Sequence, residues 1–158
     1  MNNPDSLLDD RRAQIARAIR EETGIDEAMI ERLVRGFYAR VRQDALIGPV
    51  FEARIADWEP HLQRMIAFWS SVALMSGTYH GQPMRKHVPL PIDGRHFDRW
   101  LALFEATARE LCPPPAADHF IDRARRIAES LELGMAVTQG VLLRKGERLR
   151  RPELDAAG

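Results

Sequence analysis

Residues 78–104 read TYHGQPMRKHVPLPIDGRHFDRWLALF. Two kinds of chain meet here. The first part is punctuated by Gly81, Pro83, Pro89, Pro91 and Gly94, and Pro89 disfavours helix at Val88. From 95 to 111 the apolar residues Phe97, Trp100, Leu101, Phe104, Ala108 and Leu111 recur at helical spacing. An irregular connection over 76–95 is long for a compact helical domain, and such connections are usually functional. It carries His87, with Arg85 and Lys86 before it and the apolar Val88 and Leu90 after it.

On either side the spacing is helical almost throughout. Residues 5–22 predict a polar helix with a thin apolar stripe, closed by Thr23-Gly24. Residues 26–43 predict a strong helix, with Asp26 as N-cap and Ile25 and Ile30 as a hydrophobic staple around it. Its apolar face is Ile30, Leu33, Val34, Phe37, Tyr38 and Val41, and Gly48-Pro49 reads as the turn that follows. A third helix spans 58–75, N-capped by Asp57, with Pro60 tolerated in its first turn. Pro113-Pro114-Pro115 breaks the helix ending at 111, and a long helix follows over 117–138. No stretch alternates like a half-buried strand. The expected organisation is a polar helical extension (1–25), one all-α domain (26–140) and a basic, mobile tail (141–158).

Lys plus Arg and Asp plus Glu each number 23, so the formal net charge is zero. This argues against a nucleic-acid or anionic-membrane binder, whose affinity needs surplus positive charge. The single cysteine, Cys112, forms no intramolecular disulfide and no thiolate metal cluster, and reads as buried filler. No apolar run is long enough to span a membrane and no signal core opens the chain, so the expected location is cytoplasmic.

Polar groups on apolar faces carry the functional argument. Tyr38 lies mid-stripe between Val34 and Val41, Trp100 lies between Phe97 and Phe104, and His61 opens the apolar face of its helix ahead of Met65 and Phe68, with Trp69 beside them. A buried Tyr hydroxyl or Trp N–H that finds no partner costs about 1–3 kcal/mol. Taken singly, each is an ordinary core or surface residue. Together, a histidine on an irregular loop and inward hydrogen-bonding groups on other helices suit a flat apolar cofactor with one metal, and haem is the natural candidate. Two other readings stay open. One is a haem-free helical interaction module. The other is a non-haem site from His80, His87 and His96, whose spacings are long and lack a carboxylate motif.

The chain resembles the group III truncated haemoglobins. The resemblance rests on Phe37-Tyr38, GPVF at 48–51, W-x-x-H at 58–61, FW at 68–69, TYHGQPMRKHVPLP at 78–91 and HFDRWLALF at 96–104. It implies an all-α, truncated globin-like two-over-two helical sandwich with an irregular proximal loop. It implies haem b, with His87 as the proximal ligand of the iron. Tyr38 and Trp100 match the distal hydrogen-bonding pair, and His61 matches the distal-helix histidine, which in this family can gate the pocket. Met65 matches the neighbouring distal wall position, Phe51 matches the aromatic that packs on the haem face, and Trp69 belongs to the same lining. Arg85 or Lys86 would pair with a propionate.

The implied partners are diatomic gases (O2, NO, CO), with oxygen binding, sensing or detoxification as the activity. The alternative is a nitric oxide dioxygenase or peroxidase-like enzyme. It would need an external reductase, because no GxGxxG or flavin motif is present. A monomer or weak dimer is expected. The leading segment and the basic tail lie outside the resemblance. His80 departs from the family pattern and reads as an exposed loop residue, while His96 and His119 read as structural or exposed.

Overall fold

Asp26 shows how the main helices begin. In the computed structural model, which describes residues 4–75 and 90–157, its carboxylate accepts the Met29 N–H at 2.8 Å and so N-caps α2 (Glu27–Gln43). Ile25 and Ile30 bracket this cap and are both buried, as a hydrophobic staple requires. The preceding helix, α1 (Pro4–Thr23), ends at Gly24, whose φ of +71° lets its N–H reach the Arg20 carbonyl at 2.8 Å. No residue of α1 is buried, although Ile19 packs partly against the core.

Four further helices follow: α3 (Gly48–Glu52), α4 (Trp58–Leu74), α5 (Gly94–Leu111) and α6 (Pro114–Thr138). A 3-10 turn spans Pro152–Ala157, and the described residues contain no strand. Helix α2 packs on α4, α5 packs on α6, and α2 lies against α5, which gives two helical layers of two. This is the two-over-two globin-like sandwich that the resemblance implies. No helix among the described residues is long and apolar enough to cross a membrane.

Aromatic rings form the centre. Phe104 stacks on Trp69 (centroids 4.9 Å, 21° between planes) and on Trp100 (5.5 Å, 15°), and Phe37 meets it edge-on at 5.3 Å. Offset stacks and edge contacts are the arrangements that ring quadrupoles favour. Phe37, Trp69, Phe104 and Phe120 are all fully buried.

The structure differs from the sequence expectation in three places. Gly48-Pro49 opens the short helix α3 instead of a turn, with Pro49 in the first helical turn, where its missing N–H costs nothing. A Cβ at Gly48 would stand 2.9 Å from the Val41 carbonyl oxygen, so α3 lies this close to α2 only because residue 48 is glycine. Helix α6 begins at Pro114, three residues before the expected start, because Pro114 and Pro115 occupy its first positions and Pro113 caps it. Lastly, where a mobile basic tail is expected from 141 onward, the structure packs Leu149 into the interior at 2% exposure.

Candidate functional site

The two layers enclose a cavity of about 400 Å³. One wall comes from α2, α3 and α4, whose stripes turn Tyr38, Val50, Phe51, His61, Met65, Phe68 and Trp69 inward. The other comes from α5 and α6 with the residues leading into α5: Leu90, Ile92, His96, Phe97, Trp100, Ile127, Ala128 and Leu131. The spacing explains the first wall, since 61, 65, 68 and 69 lie at i, i+4, i+7 and i+8 on one helix face. Every site residue expected from the sequence that lies in the described part is here: Tyr38, Phe51, His61, Met65, Trp69 and Trp100. His80, Arg85, Lys86 and His87 lie outside the described residues.

Tyr38 is the most constrained polar group. It is 5% exposed, and its ring meets Phe37 at 5.0 Å, Phe51 at 5.8 Å and His61 at 5.1 Å, each edge-on. Burial pushes its phenol well above the ordinary tyrosine value, so the hydroxyl stays protonated as a donor. Its hydroxyl makes no hydrogen bond to a described residue, the situation that a buried polar tip tolerates when a ligand completes it. Trp100, held between Phe37 and Phe104, brings an indole to the same cavity from the opposite wall.

His61 stands in a box of rings. Tyr38, Phe51 and Trp58 face it at centroid distances of 5.1, 6.4 and 5.6 Å. The Arg42 guanidinium lies 4.5 Å over the Trp58 ring and is ion-paired to Glu52, so the outer side of this box is tied to α2 and α3. Asp44 fixes the α2–α3 corner. Its carboxylate accepts the N–H groups of Leu46 (3.0 Å) and Ile47 (3.1 Å) and the Arg99 side chain (2.6 Å). Burial pushes the Asp44 carboxyl up, but these hydrogen bonds outweigh it and hold the group below the usual carboxylate range.

Three polar lining residues escaped the sequence reading. Arg54 and Arg64 line the cavity and bring positive charge to it. The only signal for Arg64 was its place three residues after His61, one helical turn on. His96, read as structural or exposed, is buried and lines the α5 wall. Its Nδ1 accepts the Asp93 N–H at 3.0 Å within a capping box, and from this bond the neutral ring carries its proton on Nε2. A histidine in place of the usual Glu or Gln at that box position is what hid it.

Residues 18–132 match the family model of the bacterial-like globins. The chain is 32% identical over 113 residues to the group 3 truncated hemoglobin ctb of Campylobacter jejuni, covering 68% of this chain and 89% of that protein. It is 27% identical over 97 residues to the group 2 truncated hemoglobin YjbI of Bacillus subtilis, covering 60% of this chain and 67% of that one. The crystal structure of the group III truncated hemoglobin from Campylobacter jejuni superposes with a TM-score of 0.66 at 30% identity, covering 78% of this chain and 95% of that one. The chain belongs to the bacterial-like globin family. Within it, the likeness to the group III truncated haemoglobins found in the sequence motifs is borne out in both sequence and structure.

Globins bind haem, and the residues present fit that group. The cavity lining is mainly apolar and aromatic, as a macrocycle needs. A protonated phenol with no acceptor among the described residues faces it, and two arginines stand on the same lining to meet carboxylates. Among the described residues no group of three or more His, Cys, Asp or Glu could hold a metal ion.

Proposed function

We propose that this chain holds haem b between the α2–α4 and α5–α6 walls, with His87 as axial ligand, and binds a diatomic gas on the side of Tyr38, Trp100 and His61. The observation that carries the reading is convergence: Tyr38, Phe51, His61, Met65, Trp69 and Trp100, picked from three helical stripes and a turn, meet in one cavity. When bound, haem would supply an iron able to take oxygen, nitric oxide or carbon monoxide. Phe51, Met65 and Trp69 cover the macrocycle and exclude water. Arg54 and Arg64, with Arg85 and Lys86, meet its carboxylates.

Tyr38 and Trp100 act as donors toward a gas ligand that takes up partial negative charge. Each charge-assisted hydrogen bond is worth about 1.5–3 kcal/mol, or roughly tenfold to a hundredfold in retention. Slow release suits sensing, storage or detoxification better than a carrier that must unload. A second reading is a nitric oxide dioxygenase or a peroxidase-like enzyme with an external reductant. What favours it is that the Tyr38 phenol, kept protonated by burial, and the His61 imidazole line one cavity with their ring centroids 5.1 Å apart. Either activity goes with a cytoplasmic monomer or weak dimer.

The test is an absorption spectrum of the purified protein, oxidised and then reduced, with and without carbon monoxide. An intense Soret band that shifts on adding carbon monoxide is expected, and His87→Gly should abolish the axial-imidazole signature. A colourless protein that takes up no added haemin would sink the reading.

A further inference from the structure

The family match ends at residue 132, yet the segment beyond α6 is built into the cavity's surroundings. Leu149 belongs to an apolar cluster with Ile92, Phe97, Ala128, Met135 and Ala136. Ile92, Phe97 and Ala128 also line the cavity, so this cluster is the back of the cavity wall. The Leu149 carbonyl accepts the Gly94 N–H at 2.9 Å, at the first residue of α5. A Cβ at Gly94 would stand 3.2 Å from that oxygen, 3.3 Å from the Arg148 guanidinium and 3.3 Å from the Glu132 carboxylate. The segment therefore passes α5 at a distance that a bare backbone accommodates best.

Charged contacts hold it there on both sides. The Arg148 guanidinium donates to both Glu132 carboxylate oxygens at 2.9 Å and to the Gly94 carbonyl at 3.0 Å, and it pairs with Asp98 at 2.8 Å. The Arg151 backbone N–H donates to Asp93 Oδ2 at 3.2 Å, and its guanidinium donates to the Leu90 carbonyl at 2.9 Å. Asp93 is fully buried and, through its own N–H, fixes the His96 ring. Three of the four residues from 148 to 151, namely Arg148, Leu149 and Arg151, thus grip the start of α5 from Leu90 to Asp98.

We propose that residues 148–151 are a brace that positions the α5 wall of the cavity, His96 and Phe97 above all, and so sets how tightly the cavity retains haem. The proposal rests on the haem reading above. Leu149 and Arg148 are positioning residues: neither lines the cavity, and they act through Ile92, Phe97 and the Asp93–His96 pair. Truncating Leu149 opens a void behind Phe97 into which the wall can relax. Removing the Arg148 guanidinium leaves the Glu132 carboxylate, 7% exposed, without its counter-charge.

The experiment follows haemin transfer from the purified holoprotein to an excess of a high-affinity apoglobin, alongside urea unfolding of the same variants. Leu149→Ala should speed haemin loss about tenfold, Leu149→Met should restore it to within about twofold of wild type, and Arg148→Met should speed it about threefold. Leu33→Ala removes an equally buried leucine outside the cavity lining, and should lower the urea midpoint without matching that acceleration. Equal haemin loss from Leu149→Ala and Leu33→Ala at similar destabilisation overturns the brace. If Leu149→Ala does not fold, Arg148→Met decides alone, and wild-type haemin loss from it overturns the brace. A wild type that takes up no haemin overturns the haem reading and the brace with it. A wild type that holds haemin while both brace variants release it at the wild-type rate overturns only the brace.

Discussion

On the α2–α4 wall, Tyr38, Phe51 and His61 are held by edge-on ring contacts within about 6.5 Å of one another, with the Arg42–Glu52 ion pair on the outside of the box. On the α5 wall, His96 and Phe97 stand behind a buried carboxylate, Asp93, which accepts hydrogen bonds from Arg95 and from the Arg151 backbone. The first wall is made by apolar stripes that each helix carries in its own sequence. The second depends on residues 54 and 58 positions apart, joined through charged side chains. Packing of rings responds to volume and is nearly indifferent to pH. A charged clamp responds to protonation and to the loss of any single partner.

The ring packing shared by both walls should carry the largest effect. Phe104→Ala removes the ring on which Trp69 and Trp100 both stack, and should cost about 3–5 kcal/mol in urea unfolding. An effect below about 1 kcal/mol would mean that neither the stacking nor the volume of this ring holds the centre together. Asp93→Ala removes the N-cap of α5 and leaves the Arg151 N–H without its acceptor. About 2–3 kcal/mol should be lost, with the His96 imidazole resonances shifted by NMR and those of His61 unchanged.

Acid separates the charged contacts from the ring packing. Burial pushes the Asp93 carboxyl up, but hydrogen bonds from the Arg95 side chain and the Arg151 and Arg95 N–H groups outweigh it and hold it below its ordinary value of 3.8. A carboxyl with a depressed native pKa contributes stability above its unfolded value and loses it as pH falls through the native one. The start of α5 should therefore loosen as pH falls below 3.8, and the Asp44-held α2–α3 corner with it, the Gly94 amide exchanging before amides in the middle of α2. Simultaneous loss would remove that distinction.

Tyr38→Phe should show the reverse profile. The hydroxyl has no described protein acceptor, so unfolding free energy should change by less than about 1 kcal/mol. Oxygen dissociation should instead rise about tenfold to a hundredfold, read by stopped flow, and unchanged rates in both Tyr38→Phe and Trp100→Phe would exclude them as donors. The smallest effect is expected at Gly36→Ala. Alanine gains up to about 1 kcal/mol in helix propensity, while the new Cβ lies 2.7 Å from the end of the Leu111 side chain, which is 38% exposed and can swing aside. The two nearly cancel, and a urea midpoint close to wild type is the expected outcome.

The same division governs what the sequence could reveal. Five helices, the Asp26 cap and the inward faces that carry Tyr38, His61, Met65 and Trp100 were legible because each depends on a local period or a local cap, whereas Phe51 came only from the family resemblance. Helix α3 was not, because five residues are too few to show a period and Gly48-Pro49 looks like a turn. The start of α6 was misplaced because proline breaks a helix from inside but is welcome at its first positions. The segment after α6 was hidden because Leu149 is one apolar residue between charged neighbours, and its burial is decided by Gly94 and Ile92, far away in the chain. Arg54, Arg64 and His96 were hidden for a related reason, since polar residues carry no periodic signal to say which of them face inward.

The Arg148–Glu132 contact also bears on the order in which the molecule opens. Its partners are 16 residues apart, so once α5 and α6 lie together the closing loop is short, and closing such loops takes on the order of 0.1 μs or less. The segment after α6 can then detach and return as a cooperative unit of its own, without disturbing the aromatic centre. Hydrogen exchange would reveal it as a step of lower free energy than global unfolding, shared by the Gly94 and Arg151 amides and absent from those of α2.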